Sequence, residues 1–205
     1  MLPIYALRIT DDTYGVNVIS VVADPAIEEQ CMKFSKQEKL DIKLSQNDEK
    51  QELFGPCVVP NILIYRRDPQ SGSEYYVLFE KDTIEQLEKN YFKSGFNFNV
   101  SLEHSGENVP GYVFESFIKN SELGIDPKGW DVEDGTWFVR MRIDDKAVWD
   151  RIKEEGLSGF SVECLLAGVE IGETFNKQET KPDQEERQVE KRTWMDELLN
   201  MADQM

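Results

Sequence analysis

The chain contains one histidine, His104, at the end of an alternating apolar run, Asn99-Val100-Ser101-Leu102-Glu103-His104. An imidazole has an unperturbed pKa of about 6.5, so near neutral pH it can take a hydroxyl proton and return it to a leaving group without large tuning. Any hydrolytic site here that relies on an imidazole base must therefore use His104. The serines that could serve it are Ser158 and Ser161, in Gly156-Leu157-Ser158-Gly159-Phe160-Ser161. Small residues there permit close backbone approach, and a strand could open onto a cleft. The continuation Gly159-Phe160-Ser161-Val162-Glu163 is not a Gly-x-Ser-x-Gly nucleophile elbow, because Glu163 stands where the second glycine should be. Cys164 could in principle be a thiol nucleophile, but Val162-Glu163-Cys164-Leu165-Leu166 reads as an apolar strand face, where a thiol is inert packing. Residue types and spacing leave two readings open, since a lone histidine at a strand end is commonly structural and Gly and Ser are ordinary turn residues.

Other chemistries find less support. One histidine excludes a multi-histidine metal site, and the acidic residues between Asp126 and Gly135 have the wrong offsets for a calcium loop. No metal or cofactor is expected, with an acid-only magnesium or calcium site the one option left open. Forty acidic residues make any particular carboxylate pair uninformative as a glycosidase signal.

The elements that must position these groups are short. β-rich runs recur at Ile4 to Ile9, Val16 to Val22, Val58 to Tyr65, Tyr75 to Phe79, Asn97 to His104, Tyr112 to Ile118, Thr136 to Ile143 and Ser161 to Ile171. Gly, Pro, Asp or Asn bounds each run. Two helices interrupt them. One opens on a capping-box pattern, Asp82-Thr83-Ile84-Glu85, continues with Ile84, Leu87, Tyr91 and Phe92 at helical spacing, and ends near Gly95. The other runs from about Asp145 to Glu155, with Val148, Trp149 and Ile152 on one face and Gly156 as a left-handed stop. It delivers the chain into the Ser158/Ser161 segment.

Composition bounds the class. At 205 residues and 40% hydrophobic, the chain can bury one sizeable core and carry a tail. A net charge of −17 argues against nonspecific binding to nucleic acid or anionic lipid, both of which need a positive field. Partners should be proteins. No run approaches the roughly 18 apolar residues of a membrane span, and the first residues lack a secretory pattern, so the expected compartment is the cytosol. Cys31, Cys57 and Cys164 are widely spaced with no CxxC pair, which predicts reduced thiols. The organisation expected is a β-rich domain over residues 1–172 with a polar insertion at 36–52, a charged flexible linker at 173–191, and an amphipathic helix at 192–205 carrying Trp194, Leu198 and Met201.

Several separated stretches together resemble the phage prohead, or capsid maturation, serine proteases of the XkdF-like branch. They are Val18 to Glu28, Gly55 to Arg67, Val100 to His104, Val113 to Ile118, Gly135-Thr136-Trp137 and Gly159 to Glu163. Their order and spacing carry the resemblance, which covers most of residues 14 to 166. It implies relatives of the herpesvirus assemblins: an α+β fold with a compact β-barrel-like antiparallel or mixed sheet and a few surrounding helices. By position it makes His104 the base and Ser161 the nucleophile of an acyl-enzyme mechanism. Assemblins use a second histidine, which this chain lacks, so the resemblance implies either a dyad or an acid orienting His104. Glu115, on the strand after the His104 turn, is the expected acid. The implied activity is endoproteolytic processing of phage scaffold and major capsid proteins, and of the enzyme itself, inside the assembling procapsid in the host bacterial cytoplasm. A homo-oligomer is compatible with it. The alternative is a catalytically inactive, scaffold-associated protein of the same fold that uses its acidic surface and C-terminal helix to bind partners.

Overall fold

Alternation of β-branched and aromatic residues with polar ones builds strands that bury one face, and this chain forms mostly such strands. The computed structural model describes residues 2–9, 15–25, 43–67, 71–165 and 169–174. Among them the strands are β1 (Ile4–Ile9), β2 (Gly15–Val22), β3 (Ser45–Asn47), β4 (Glu52–Val58), β5 (Ile64–Arg67), β6 (Glu74–Phe79), β7 (Val100–Leu102), β8 (Gly111–Ile118), β9 (Trp137–Ile143), β10 (Gly159–Leu165) and β11 (Val169–Thr174). The helices are α1 (Lys81–Lys93) and α2 (Lys146–Glu154). The fold is α+β. The linker beyond Thr174 and the helix expected at 192–205 lie outside the described residues, as do residues 36–42 of the polar insertion.

Among the described residues three sheets form, in the orders β11-β1-β6-β5, β10-β2-β7 and β3-β4-β9-β8. The β1–β6 and β2–β7 pairs are parallel and the others antiparallel. No closed barrel of hydrogen-bonded strands is present among the described residues, where a barrel-like sheet was expected. The polar stretch from Ser45 is the exposed arm of a hairpin, β3 pairing with β4 from Ser45↔Phe54 to Asn47↔Glu52.

Two expected strands are broken for local reasons. The run Val58 to Tyr65 divides at Pro60, which has no amide to donate, and at Asn61, which takes a left-handed φ of 59°. The run Asn97 to His104 is a 3-10 turn at Phe96–Phe98, the three residues of β7, and then a tight turn holding His104.

α1 buries Ile84, Leu87 and Tyr91, as its periodicity implies, but Phe92 is 37% exposed. Its N-cap is Glu80 without a side-chain hydrogen bond, so the expected capping box does not form; Asp82 instead lies in the first turn, where a carboxylate complements the helix dipole. α2 is better capped. Asp145 accepts from Ala147 N at 2.7 Å and Val148 N at 3.1 Å, a contact of the kind that contributes about 1 kcal/mol. Gly156 ends the helix at φ 67°, a conformation that an L side chain would strain.

The core lies between the sheets and the helices. Trp137, Trp149, Tyr91, Phe138 and Phe160 are its largest fully buried side chains, and the polar ends of two are bonded: Trp149 Nε1 donates to Asp48 at 3.0 Å and Trp137 Nε1 to Ser116 at 2.8 Å. Trp149 and Ile152 anchor α2, so the short segment after it is held firmly. Leu157 N bonds to Ile152 O and Ser158 N to Val22 O, which aligns β10 against β2.

Candidate active site

The three-stranded sheet β10-β2-β7 brings the chemistry together. Its register sets Ser161 opposite Ser20, and Ser20 opposite Ser101, making a row of serines across three strands. Side chains alternate along a strand, so Ser161 and Glu163 on β10 point to one face while Phe160 fills the core. Gly159, at the start of β10, is required by contact: a Cβ there would lie 2.5 Å from the Pro25 ring beyond the end of β2.

His104 comes to the same face through a strained turn. Glu103 and His104 both have positive φ, 49° and 51°, and Ser105 N bonds to Leu102 O at 3.0 Å, the φ signature of a type I′ turn. Such turns favour Gly and Asn, and non-glycine residues in the left-handed region cost about 1–2 kcal/mol each. Two hydrogen bonds from Glu103 to the end of β2 hold the turn: its N–H donates to Val21 O at 3.0 Å and its carboxylate accepts from Ala23 N at 2.5 Å. Strain retained at one point of a fold is characteristic of functional sites.

The imidazole bridges two residues of β10. His104 Nε2 is 3.0 Å from Ser161 Oγ, and Nδ1 is 3.0 Å from Glu163 Oε1. The two residues of a Ser-x-Glu pair on one strand face are far enough apart to admit an imidazole ring between them. The His104 side chain is 42% exposed and that of Glu163 33%, so the group opens to solvent on one side. Beneath it, Ser20 and Ser101 are buried with their hydroxyl oxygens 2.6 Å apart.

Of the residues singled out from sequence, His104 and Ser161 meet. Ser158 has its backbone tied to Val22 and Leu44, and it precedes the strand position that faces the imidazole. Glu115, the acid expected from the sequence, is not among the partners of His104. It lies on β8, in a different sheet, and pairs with Arg140 on β9 at 3.2 Å. The carboxylate at Nδ1 is Glu163, which the reading of the sequence passed over although it sits two residues from Ser161. Period-2 alternation was the available signal, because it places i and i+2 on one face.

Cys164 is set apart by the same alternation. It packs against the core, and burial pushes its thiol up to about 12, while burial and the neighbouring Cys164 raise Cys57 as well. Both thiols are thus held as neutral S–H, and the nucleophilic thiolate gains population only as pH rises well above neutrality. Iodoacetamide at pH 7.5 should leave Cys57 and Cys164 unmodified in the native chain and alkylate both after denaturation, as read by peptide mass spectrometry. Cys164 is only partly buried, so fast native alkylation there would show that its thiol is not held neutral. Among the described residues no group of three or more His, Cys, Asp or Glu side chains could hold a metal ion, and no helix is long and apolar enough to cross a membrane.

An α+β fold presenting a serine, an imidazole and a carboxylate in hydrogen-bonded series defines a protein with the parts of a serine hydrolase. The sequence model of the family described as "Putative phage serine protease XkdF" matches residues 39–170, well over half of the chain, and the chain belongs to that family. His104, Ser161 and Glu163 all fall within the matched stretch, whereas Ser20 lies before it. No curated protein and no solved structure gives a significant match.

Proposed function

We propose that the chain is a serine endopeptidase of phage prohead maturation, with Ser161 as nucleophile, His104 as general base and Glu163 as the acid that orients the imidazole. The observation that carries this reading is the continuous series Ser161 Oγ–His104 Nε2 and His104 Nδ1–Glu163 Oε1, each contact 3.0 Å. His104 Nε2 takes the Ser161 proton as Oγ attacks the scissile carbonyl carbon. The protonated imidazole then gives that proton to the leaving amine as the C–N bond breaks, leaving an acyl-enzyme. Water, deprotonated by the same nitrogen, attacks the ester and restores Ser161. Glu163 keeps a proton on Nδ1 and balances the charge of the imidazolium.

The substrates in this reading are scaffold and major capsid proteins, with self-cleavage of the chain's own tail. The family membership and the net charge of −17 support them, and the relation to the assemblins rests on the resemblance of the sequence. The test is covalent labelling of the full chain by a fluorophosphonate, both alone and coexpressed with the phage scaffold and capsid proteins. Mass spectrometry should find the adduct on Ser161. No adduct under either condition, with the scaffold left uncut, would sink the reading in favour of a noncatalytic assembly protein.

A further inference from the structure

Fully buried strand positions favour apolar side chains, yet two neighbouring positions below the imidazole are serines. Ser20 and Ser101 are 0% and 1% exposed and face each other across β2 and β7. A hydroxyl taken out of water without a hydrogen bond costs free energy, so its proton must be accounted for. Ser20 Oγ lies 3.1 Å from Glu163 Oε1, 3.2 Å from His104 Nδ1 and 2.6 Å from Ser101 Oγ. An ionised carboxylate only accepts, so the single Ser20 proton goes to Glu163. Ser20 then accepts from Ser101, and towards Nδ1 it can act only as an acceptor. Both neighbours of Nδ1, Glu163 Oε1 and Ser20 Oγ, are acceptors. Nδ1 must carry the proton, which leaves the Nε2 lone pair facing Ser161 Oγ.

We propose that Ser20, oriented by Ser101, is a positioning residue that anchors the Glu163 carboxylate and holds His104 in the Nδ1–H tautomer. The inference rests on the serine peptidase reading of the site, but its test needs no turnover. Glu163 approaches from a strand edge, one third exposed, on a side chain with three rotatable bonds. Without a fixed donor it would lose rotamer freedom each time it met the imidazole, and Ser20 supplies that donor from a position that cannot itself move into water. Ser101 completes the arrangement by occupying the Ser20 lone pair that would otherwise compete for a proton.

Because the chain has a single histidine, every imidazole signal in the full chain labelled with nitrogen-15 at histidine belongs to His104. The neutral wild-type ring is expected as Nδ1–H, the reverse of the preference of a free imidazole side chain in water. In Ser20→Ala the ratio of Nδ1–H to Nε2–H should fall roughly five-fold or more, the factor that one net hydrogen bond supports. Ser101→Ala should move the ratio in the same direction by about two-fold or more, since it disorders the Ser20 hydroxyl without removing it. Thermal melting establishes that each variant is folded, and if Ser20→Ala is not, Ser101→Ala carries the test. A folded variant with the wild-type ratio, or a wild-type ring found mainly as Nε2–H, overturns the proposal. Failure of the peptidase reading looks different: wild-type Ser161 would not take up fluorophosphonate even though the tautomer responded to Ser20→Ala.

Discussion

Replacing Ser161 with alanine should lower cleavage of coexpressed scaffold by about 10⁴- to 10⁶-fold, the range seen when a member of a hydrogen-bonded catalytic series is removed. Ser161 is the only described serine whose hydroxyl lies at His104 Nε2, 3.0 Å away, so no second oxygen is poised to take over. Ser161→Ala removes one exchangeable hydroxyl from the strand face that meets the imidazole and leaves the ladder with Ser20 intact. Its melting temperature should therefore stay close to that of the wild type, which separates loss of chemistry from loss of fold. His104→Ala should cause a loss of similar size, and the double variant little more, because the two act as one unit. Ser158→Ala is the control. Its hydroxyl has no described partner at the site and its structural contacts are made by the backbone, which alanine keeps, so cleavage should stay within about two-fold of wild type. Electrophoresis of scaffold fragments reads all four variants. Processing retained in Ser161→Ala but lost in Ser158→Ala would reverse the assignment of the nucleophile.

His104 and Ser161 were legible for different reasons: His104 is the one histidine in the chain, whereas Ser161 was set apart from Ser158 only by position within the family resemblance. Glu163, the carboxylate that lies at Nδ1, was not legible, because order along the chain points to Glu115 instead. Glu115 follows His104 closely, but β8 pairs with β9, and its sheet is not the one that carries the site. The strand that does lie beside β7 is β2, from residues 15–22, joined to it in parallel across some eighty intervening positions. Such long-range pairing has no local signature, so the row Ser161–Ser20–Ser101 could not be read before the register was known. The type I′ turn at Glu103–His104 was hidden for another reason. Neither residue favours a positive φ, and tertiary hydrogen bonds to Val21 and Ala23 override the local preference for continuing the strand. Helix α2, by contrast, follows its sequence closely because Asp145, Trp149 and Gly156 act locally as cap, anchor and stop.

The second large effect concerns which carboxylate orients the imidazole, and two isosteric substitutions decide it. Glu163→Gln retains the size of the side chain but replaces an acceptor-only group with one that can also donate. The amide NH₂ can turn towards Nδ1, which then has to accept, and the ring proton moves to Nε2, where it blocks proton transfer from Ser161. In an unrelated serine protease the corresponding acid-to-amide change lowers kcat about 10⁴-fold through the wrong tautomer. Here Glu163 is partly exposed and water can compete for both groups, so a loss of about 10²- to 10⁴-fold is expected, chiefly in kcat. Glu115→Gln removes only a surface ion pair with Arg140, both side chains being more than a third exposed. Pairs of that kind contribute about 0–1 kcal/mol to stability, and cleavage should remain within a few-fold of wild type. Glu163→Asp should fall between the two, because it keeps the charge but withdraws it by one methylene from Nδ1 and from the Ser20 hydroxyl at 3.1 Å. Steady-state cleavage of a scaffold-derived peptide by the assembled particle separates kcat from KM for each variant. If Glu163→Gln cuts as fast as wild type, the site works as a Ser161–His104 dyad and the carboxylate has only a structural part. If Glu115→Gln is the slow variant, the orienting acid acts from β8 and the contact of Glu163 with Nδ1 is not the working one.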